Sequence, residues 1–421
     1  MRHAPGDALM TIGSTIWERL GQAGPAVAEA CGEADLLVGI PVANHGKNVG
    51  RVVERAAAGL AQHVALGKTV VLVVAGGPHD GALELLPHPA PAPAPVIRLV
   101  HLATASRGMA LLAILAAAAR PGLRALALAD AGLESLSPEG LSRLLGPILA
   151  GDAAYVSPAY SHAASEGTLT TNLLAPLLRA LYGHRLTQVV GGCAALSGQL
   201  LQRFLAVANA DPELAERAAE VWLPTEAVTS GSAVAEAAQG RKRLDPGLSP
   251  PDLATTLVQV VGPFFTLMER YRAIWFDVQG SREVPLAGER PAFLPPVSGV
   301  KVERMVHAFR LGLKDLLPLW EEIVPDETLG QLYPLGVLAP DEFVFPPRLW
   351  AQTVYAFAVA HHDRRLPREH LLRALTPLYL GRTAAFLLEA QAAPPERMAE
   401  LPEQIGRAFE AEKDVLRARW R

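Results

Sequence analysis

Four short segments that contain glycine stand where apolar strands are predicted to end. Glycine lets a backbone approach a ligand closely, and the N-terminus of a helix favours a phosphate. An aspartate at a strand end can bind a ribose hydroxyl or a divalent metal. Each segment alone could equally be an ordinary turn. It is the combination of the four that predicts a nucleotide-type site. The segments are Gly39–Asn44, Ala75–Gly81, Ser106–Gly108 and Asp130–Gly132.

The elements that position these segments alternate between strand and helix. Such alternation predicts parallel βαβ crossovers, and ligands of open parallel sheets bind beyond the carboxyl ends of the strands. Apolar runs predict strands at Asp35–Pro41, Thr69–Val74, Val96–Leu102 and Leu123–Asp130. Apolar residues at helical spacing predict helices at Val49–Ala65 and Arg107–Ala119.

The pattern changes after about Asp245, where apolar residues recur at helical spacing and no β pattern follows. The sequence therefore predicts an α/β domain over residues 35–245 and an all-α domain over 246–421, with residues 1–34 as an N-terminal extension. Aromatic residues lie on several of the later helices, which predicts apolar surface beyond what one domain covers, and hence a homodimer contact. They are Phe264, Phe265, Trp275, Phe309, Trp350, Tyr355 and Phe357.

Composition excludes several classes of protein. Among 421 residues, 38 Lys and Arg face 42 Asp and Glu, and this net charge of −4 argues against a nucleic-acid partner. Two cysteines, Cys31 and Cys193, exclude a disulfide framework and fit a reducing cytoplasm. The longest apolar run, Met109–Ala119, is well short of the ~18 residues of a membrane span. No G-x-G-x-x-G follows the first strand, which argues against a Rossmann oxidoreductase.

The middle of the chain carries a more specific pattern. It reads YVSPAY over residues 155–160, then GTLTTNLLAPLLRALYGHRL over 167–186, then Gly191-Gly192. With the strand-end segments, this run resembles the GT-A glycosyltransferases of the glucosyl-3-phosphoglycerate and glucosylglycerate synthase group, glycosyltransferase family 81. The resemblance covers most of residues 35–390. It implies a GT-A domain, a nucleoside-diphosphate (NDP) sugar donor such as NDP-glucose, a small hydroxy-acid acceptor such as glycerate or 3-phosphoglycerate, and a homodimer.

The resemblance also implies roles for individual residues. Those facing the base of the sugar nucleotide would be Pro41, Val42, Ala43 and Asn44, and those on its ribose and diphosphate side Gly76, Gly77 and Arg107. The positions of the Asp-x-Asp motif that binds Mg²⁺ or Mn²⁺ would be Asp130 and Gly132. The acceptor side would hold Thr168, Thr170, Asn172, Gly191 and Gly192. Asp130 and Glu226 would be the catalytic carboxylates, Glu226 near the reacting sugar.

The chain departs from the family at the metal site. Ala75, Gly132 and Cys193 each stand where the family has an aspartate, and no histidine precedes Asp245 in residues 239–244. A divalent metal that bridges a diphosphate needs several carboxylate or imidazole ligands, and Asp130 alone is a poor set. Two interpretations stay open. Either Arg107 and helix N-termini stabilise the leaving diphosphate without a metal, or the protein binds a nucleotide sugar or pairs with an active paralogue without turnover.

Overall fold

The structure is a computed structural model that describes residues 14–43, 49–76, 95–102, 106–245 and 252–420. The chain divides into two compact units that alternate along the sequence. The first comprises residues 1–160, 190–249 and 284–291, and the second residues 161–189, 250–283 and 292–421. The predicted boundaries at residues 34 and 245 stay predictions.

The first unit is built on a mostly parallel sheet. Its described strands are β1 (Leu36–Ala43), β2 (Thr69–Gly76), β3 (Val96–Leu102), β4 (Ala125–Ala129), the start of β5 (Tyr155–Ala163), β7 (Cys193–Ser197), β8 (Val234–Arg241) and β10 (Leu286–Ala287). Their order is β10-β8-β5-β7-β4-β1-β2-β3. Strands β1 to β4 pair in parallel, while β7 runs antiparallel to both β4 and β5.

Helices cover the sheet on both faces. They are α1 (Ser14–Leu20), α2 (Ala23–Cys31), α3 (Val49–Ala61), α4 (Arg107–Ala118), α5 (Pro138–Ala150), α7 (Gly198–Ala210) and α8 (Pro212–Thr229), with a 3₁₀ turn at Val64–Leu66. The crossover β1-α3-β2 runs in one direction across the sheet and β3-α4-β4 runs in the other. Since crossovers are right-handed, α3 and α4 lie on opposite faces. The central strands are therefore covered on both sides, which explains their continuous apolar sequence.

Strand β1 ends two residues later than the sequence predicts. Its alternate residues Leu36, Val38, Ile40 and Val42 all lie in one core cluster with apolar residues of α3 and α5. Pairing with β2 continues to Ala43, whereas pairing with β4 stops at Gly39. Pro41 is tolerated because one side of the strand has no partner there. The predicted loop that begins at Pro41 is thus strand up to Ala43.

The second unit is mainly helical. Its helices are α6 (Ala175–Tyr182), α9 (Leu253–Arg270), α10 (Arg272–Trp275), α11 (Val302–Asp315), α12 (Leu317–Ile323), α13 (Asp326–Leu332), α14 (Pro347–His362), α15 (Arg368–Ala374), α16 (Thr376–Ala392), α17 (Glu400–Ala411) and α18 (Lys413–Arg419), with a π-helical turn at Thr170–Leu174 and 3₁₀ turns at Tyr333–Val337 and Pro395–Arg397. Short strands, missed in the sequence, pair β6 (His184–Arg185) with β9 (Arg282–Glu283) and β11 (Phe293–Leu294) with His162 and Ala163.

The aromatic residues that suggested further surface to cover are all buried. Phe309 contacts Phe343, Tyr355 contacts Phe409, and Trp350 donates its indole N–H to the Asn172 carbonyl at 2.7 Å. Side chains of this unit therefore provide the cover that the sequence analysis assigned to a second copy. The argument for a dimer from these residues was wrong, and the dimer stays a prediction from the resemblance alone.

The predicted fold class is confirmed: a mixed α/β part with a central, largely parallel sheet, and a helical C-terminal part. The stretch Pro87–Pro95, which the sequence predicts as polyproline II, lies outside the described residues except for Pro95. Among the described residues, no helix is long and apolar enough to cross a membrane.

A buried ion pair in the second unit gives a stability prediction. Arg382 is fully buried; its two terminal nitrogens donate to both oxygens of Glu389 at 2.8 and 2.9 Å, and one also donates to the Phe345 carbonyl. Glu389→Ala leaves this guanidinium without a carboxylate, and we expect a loss of about 3–5 kcal/mol in the free energy of unfolding. Urea denaturation followed by tryptophan fluorescence measures it.

The matched control is Glu369→Ala, which removes the carboxylate of an exposed pair with Arg373 one helical turn away. That variant should lose less than about 0.5 kcal/mol. Equal losses of unfolding free energy in the two variants would contradict the prediction that a buried ion pair costs more to break than an exposed one.

Candidate functional site

The candidate site lies where the strand order of the first unit reverses. The chain runs from β1 outward to β2 and β3 and then returns to β4 on the other side of β1. In open α/β sheets, the crevice beyond the carboxyl ends of two such strands is where ligands bind. Side chains that follow β3, β4 and β8, the residues at the start of the antiparallel strand β7, and residues of α8 meet at this edge.

Arg107 is the first residue of α4 and the centre of the cluster. Its Nε donates to Glu220 Oε1 of α8 at 2.6 Å, and its Nη2 donates to Asp130 Oδ2 at 2.9 Å. Its third nitrogen, Nη1, is buried and has no hydrogen-bond partner within the described part of the chain. Burial lowers the pKa of this guanidinium, but the two carboxylates more than offset that effect and hold the pKa above its ordinary value.

The start of α4 is fixed by contacts on both sides of Arg107. The Ser106 hydroxyl accepts a hydrogen bond from the Met109 amide at 3.1 Å, which caps the helix, and donates to Glu216 Oε1 at 2.6 Å. Gly108 packs against the backbone of Glu216 so closely that no side chain would fit. Glu216 and Glu220, one turn apart on α8, therefore hold Arg107 and its helix in place.

Asp130 follows β4 and uses both of its carboxylate oxygens. Oδ1 accepts the Gly132 amide at 2.8 Å, and Oδ2 accepts Arg107. The Asp130 amide donates to the Gly192 carbonyl at 2.7 Å. Gly132 in turn accepts the amide of Asp245 at 2.9 Å, so the loops after β4 and β8 are tied together.

Beside Asp130, a tyrosine and a cysteine form a buried, uncharged pair. The Tyr160 hydroxyl and the Cys193 sulfur are 3.1 Å apart. Burial raises the pKa of Cys193 to about 12 and that of Tyr160 well above its ordinary value. Gly191 and Gly192 precede Cys193 with φ of +74° and +89°, and a Cβ on Gly192 would lie 2.5 Å from the Tyr160 hydroxyl. The positive φ angles and the packing on Tyr160 therefore explain why glycines stand at both positions.

Lys242, just after β8, completes the cluster. Its Nζ lies 5.3 Å from the centre of the Tyr160 ring, within the range of a cation–π contact. Burial lowers the pKa of this ammonium, and the negative charges of Asp130 and Glu220 act in the opposite direction. Arg107 is paired with Asp130 and Glu220, and Lys242 lies near enough to feel the charge of both carboxylates.

The residues predicted to contact the base and ribose lie at the strand ends. Pro41 and Val42 are buried in β1, Ala43 ends that strand, and Gly76 ends β2 opposite Ala43. Val42 is a core residue, so its side chain packs inward. Asn44 and Gly77 lie outside the described residues.

Glu226 does not join the Arg107 network. It is almost fully buried on α8 and accepts Arg203 Nε of α7 at 3.0 Å. Six residues separate it from Glu220, which is about 9 Å along a helix. Because α8 ends at Thr229, just before β8 begins, Glu226 lies toward the amino end of that strand. The carboxylate of α8 that reaches the edge is Glu220, and its role beside Asp130 is the one the sequence analysis missed.

The residues predicted on the acceptor side divide between the two units. Gly191 and Gly192 belong to the first. Thr168, Thr170 and Asn172 belong to the second, where the Thr168 hydroxyl contacts the Tyr379 hydroxyl at 2.6 Å and the Asn172 side chain donates to the Thr168 carbonyl at 3.1 Å. The Asn172 side-chain oxygen is buried and finds no hydrogen-bond partner among the described residues.

The residues at this edge do not fit a divalent metal. Asp130 is the single carboxylate at the motif position, both of its oxygens already accept hydrogen bonds, and Cys193 is a neutral thiol. Over the described ranges, no group of three or more His, Cys, Asp or Glu side chains is arranged to hold a metal ion. The cations at the edge come from Arg107 and Lys242 instead.

Sequence signals for the missed residues were weak. Glu216 and Glu220 have the i, i+4 spacing of one helix face, but so does many an exposed pair. Lys242 lies in the basic run Arg241–Arg243. Such a run predicts a solvated loop, and a basic loop that closes over a phosphate is the alternative. Tyr160 lies in a largely apolar stretch, which is typical of a core residue. Only the pairing of strands β4, β5, β7 and β8 brings them to one place.

No protein-family model matches the chain, and no curated protein matches it. Among solved structures, it is similar to glucosyl-3-phosphoglycerate synthase from Mycobacterium tuberculosis in complex with Mn²⁺, UDP and glucosyl-3-phosphoglycerate: 19% identity, TM-score 0.38, 59% of this chain and 84% of that chain. The chain is also similar to the complex of that enzyme with Mn²⁺, UDP-glucose and phosphoglyceric acid, with 19% identity and a TM-score of 0.36 over 58% of this chain and 83% of that chain. A third similar structure is that of a mycobacterial protein, with 20% identity and a TM-score of 0.38 over 59% of this chain and 79% of that chain. Likenesses of this size carry no argument about function.

The packing of Gly192 on Tyr160 predicts the effect of an added methyl group. Gly192→Ala would strain a backbone at positive φ and also clash with the Tyr160 ring, so we expect a loss of about 2–4 kcal/mol in the free energy of unfolding. Gly122→Ala is the control, since Gly122 has φ +94° and open space around it. It should lose only about 1 kcal/mol. Urea denaturation compares them, and equal losses would rule out the clash.

The raised pKa of Cys193 predicts an unreactive thiol. Thiolate is the reactive form, and a pKa of about 12 leaves almost none at pH 8. Cys31 is also buried, and burial raises its pKa as well. Iodoacetamide should therefore label neither cysteine in the folded protein at pH 8 and both in urea, as read by mass spectrometry. Rapid labelling of the folded wild type that is lost in Cys193→Ser would contradict this prediction.

Proposed function

We propose that this chain is a glycosyltransferase that moves a hexose, with glucose as the first choice, from an NDP-sugar to a small hydroxy acid such as glycerate or 3-phosphoglycerate. The observation that carries the proposal is the cluster of Arg107 and Lys242 around Asp130 at the strand-order reversal. The sugar and acceptor classes come from the resemblance of residues 167–192 to family 81.

The chemistry of this transfer calls for positive charge at the diphosphate. The bond between the anomeric carbon and a diphosphate oxygen breaks, and a hydroxyl oxygen of the acceptor bonds to that carbon. The departing diphosphate gains negative charge and takes up the acceptor's proton. Cations held in fixed positions stabilise this developing charge without having to reorganise during the reaction. Arg107 at the N-terminus of α4 supplies one such charge, aided by the helix dipole.

The same cluster supports a weak or absent dependence on divalent metal. In the resembling family, a metal held by the Asp-x-Asp motif would provide this charge. Here Asp130 is neutralised by Arg107, and Gly132 stands at the third position of the motif. The donor therefore remains an NDP-sugar, while Mg²⁺ or Mn²⁺ becomes optional. Homodimer formation and a cytoplasmic location stay predictions.

A second candidate function is a non-catalytic protein that binds a nucleotide sugar or pairs with an active paralogue. The observation that favours it is the pairing of both proposed carboxylates, Asp130 with Arg107 and Glu226 with Arg203. A carboxylate held in an ion pair is a poor acceptor of a proton. Both candidates share the nucleotide site and differ in turnover.

A thermal-shift screen with UDP-, GDP- and ADP-glucose, each in EDTA or with Mn²⁺, tests the shared step. A ligand that binds the folded state raises the melting temperature by mass action. Incubating the binding nucleotide sugar with glycerate or 3-phosphoglycerate and detecting the product then separates the two candidates. Binding without product supports the non-catalytic protein. The absence of stabilisation by every nucleotide sugar overturns the transferase and leaves only pairing with an active paralogue.

Arg107 gives a quantitative prediction. A charge-assisted contact with the diphosphate contributes about 1.5–3 kcal/mol, so Arg107→Ala should weaken nucleotide-sugar binding about 10–100-fold. Arg107→Lys, which keeps a cation for Asp130 and Glu220, should lose less. Lys68→Ala is the control, because it removes a positive charge just before β2, at the opposite edge of the sheet. Calorimetric titration of folded variants measures these affinities, and unchanged affinity in Arg107→Ala would remove this residue from the site.

A further inference from the structure

Lys242 differs from Arg107 in how its charge is used. Arg107 is held by two carboxylates, whereas Lys242 Nζ makes no hydrogen bond or ion pair with the residues that the structure describes. Its side chain is half-buried, beside the ring of Tyr160. A partly buried cation without a carboxylate contact costs free energy. Such a cation is available to an anionic ligand without first breaking an existing pair.

The position of Lys242 is fixed by the elements around it. Leu244 pairs with Leu133, the Arg243 amide donates to Ser135 Oγ at 3.0 Å, and both contacts fasten the loop after β8 to the loop after β4. Tyr160 is held in turn by Cys193 at 3.1 Å and by its packing on Gly192. Lys242 therefore lies on a loop whose backbone is held in place by hydrogen bonds to the loop after β4.

The neutral positions around Asp130 make room for this cation. The backbone of Gly192 lies next to Asp130, and a Cβ on Gly191 would lie 3.7 Å from Lys242 Nζ. In the sequence, Gly132 and Cys193 stand where the resembling family carries aspartates. Two more carboxylates at these places would favour a divalent metal. Glycine and a neutral thiol add no negative charge at these places. The edge therefore attracts a divalent cation from solution less strongly.

We propose that Lys242 takes the place of the divalent metal: its ammonium group contacts the diphosphate of the nucleotide directly, beside Arg107, which keeps its ion pairs with Asp130 and Glu220 while it contacts the same diphosphate. This inference rests on the proposed function, because it names the group that meets the donor's diphosphate. The ligand class is a diphosphate ester, and inorganic pyrophosphate is the simplest probe that carries the same charge.

Calorimetric titration in EDTA tests the proposal on the full chain. UDP-glucose and pyrophosphate are titrated into the wild type, Lys242→Met, Lys242→Arg and the control Lys68→Met. We expect Lys242→Met to weaken both ligands by about tenfold or more and Lys242→Arg to keep most of the affinity, since the charge is retained. Lys68→Met should bind as the wild type does. Circular dichroism confirms that each variant is folded.

A pH series adds a readout that a purely structural role of Lys242 would not change. The titratable groups around the ammonium are Asp130, Glu220, Cys193 and Tyr160. Because burial lowers the pKa of Lys242, wild-type affinity in EDTA should fall as the pH rises through the alkaline range, when the ammonium loses its proton. In Lys242→Arg, this fall should move to higher pH because a guanidinium keeps its proton.

The outcomes separate this inference from the proposed function. If the wild type binds UDP-glucose in EDTA and Lys242→Met binds it equally well, the inference is overturned and the proposed function stands. If pyrophosphate binding depends on Lys242 but no nucleotide sugar binds, the proposed function fails and the diphosphate contact stands. If the wild type binds these ligands only with Mn²⁺ or not at all, Lys242 does not replace the metal.

Discussion

Arg107, a partly buried cation, connects several elements of the α/β unit. It is held between a carboxylate that follows β4 and a carboxylate of α8, and its Nη1 has no hydrogen-bond partner among the residues that the structure describes. A buried cation is tolerated only if its partners are held at contact distance. The start of α4, the loop after β4 and the face of α8 therefore have to stay in register with each other. The serine cap and Gly108 serve the same requirement.

That requirement has a chemical consequence at the strand edge. Once Asp130 neutralises Arg107 and accepts the Gly132 amide, it has little capacity left for a divalent cation. Gly132 and Cys193, beside Asp130, add no negative charge to this network, and a single aspartate binds a divalent metal poorly. Stability and ligand preference are linked through the same side chain. A change that frees Asp130 for metal would leave Arg107 short of a partner.

The sequence predicts the elements well and their assembly only in part. Strand β3 falls on its predicted residues, since a β-branched run between breakers is a local signal, whereas β1 runs on through Pro41 because its pairing with β4 has already ended there. The sequence pointed to Glu226 and not to Glu220 because both lie on α8, and only the packing of that helix shows that Glu220 contacts Arg107 while Glu226 contacts Arg203. The buried aromatic residues were read as surface because spacing reveals a face but not what covers it.

The alternation of the two units along the chain bears on how the protein is made. Strand β10, at residues 286 and 287, closes one end of the sheet by pairing with β8, yet residues 250–283 between them belong to the other unit. During synthesis, domains fold as their residues emerge. The sheet of the first unit cannot be completed until residue 287 has left the ribosome, by which time two segments of the helical unit are already exposed without their C-terminal partners. A ribosome that pauses before residue 284 would hold an open sheet edge and two unpacked helical segments at once, which is a state that chaperones recognise and that aggregation exploits.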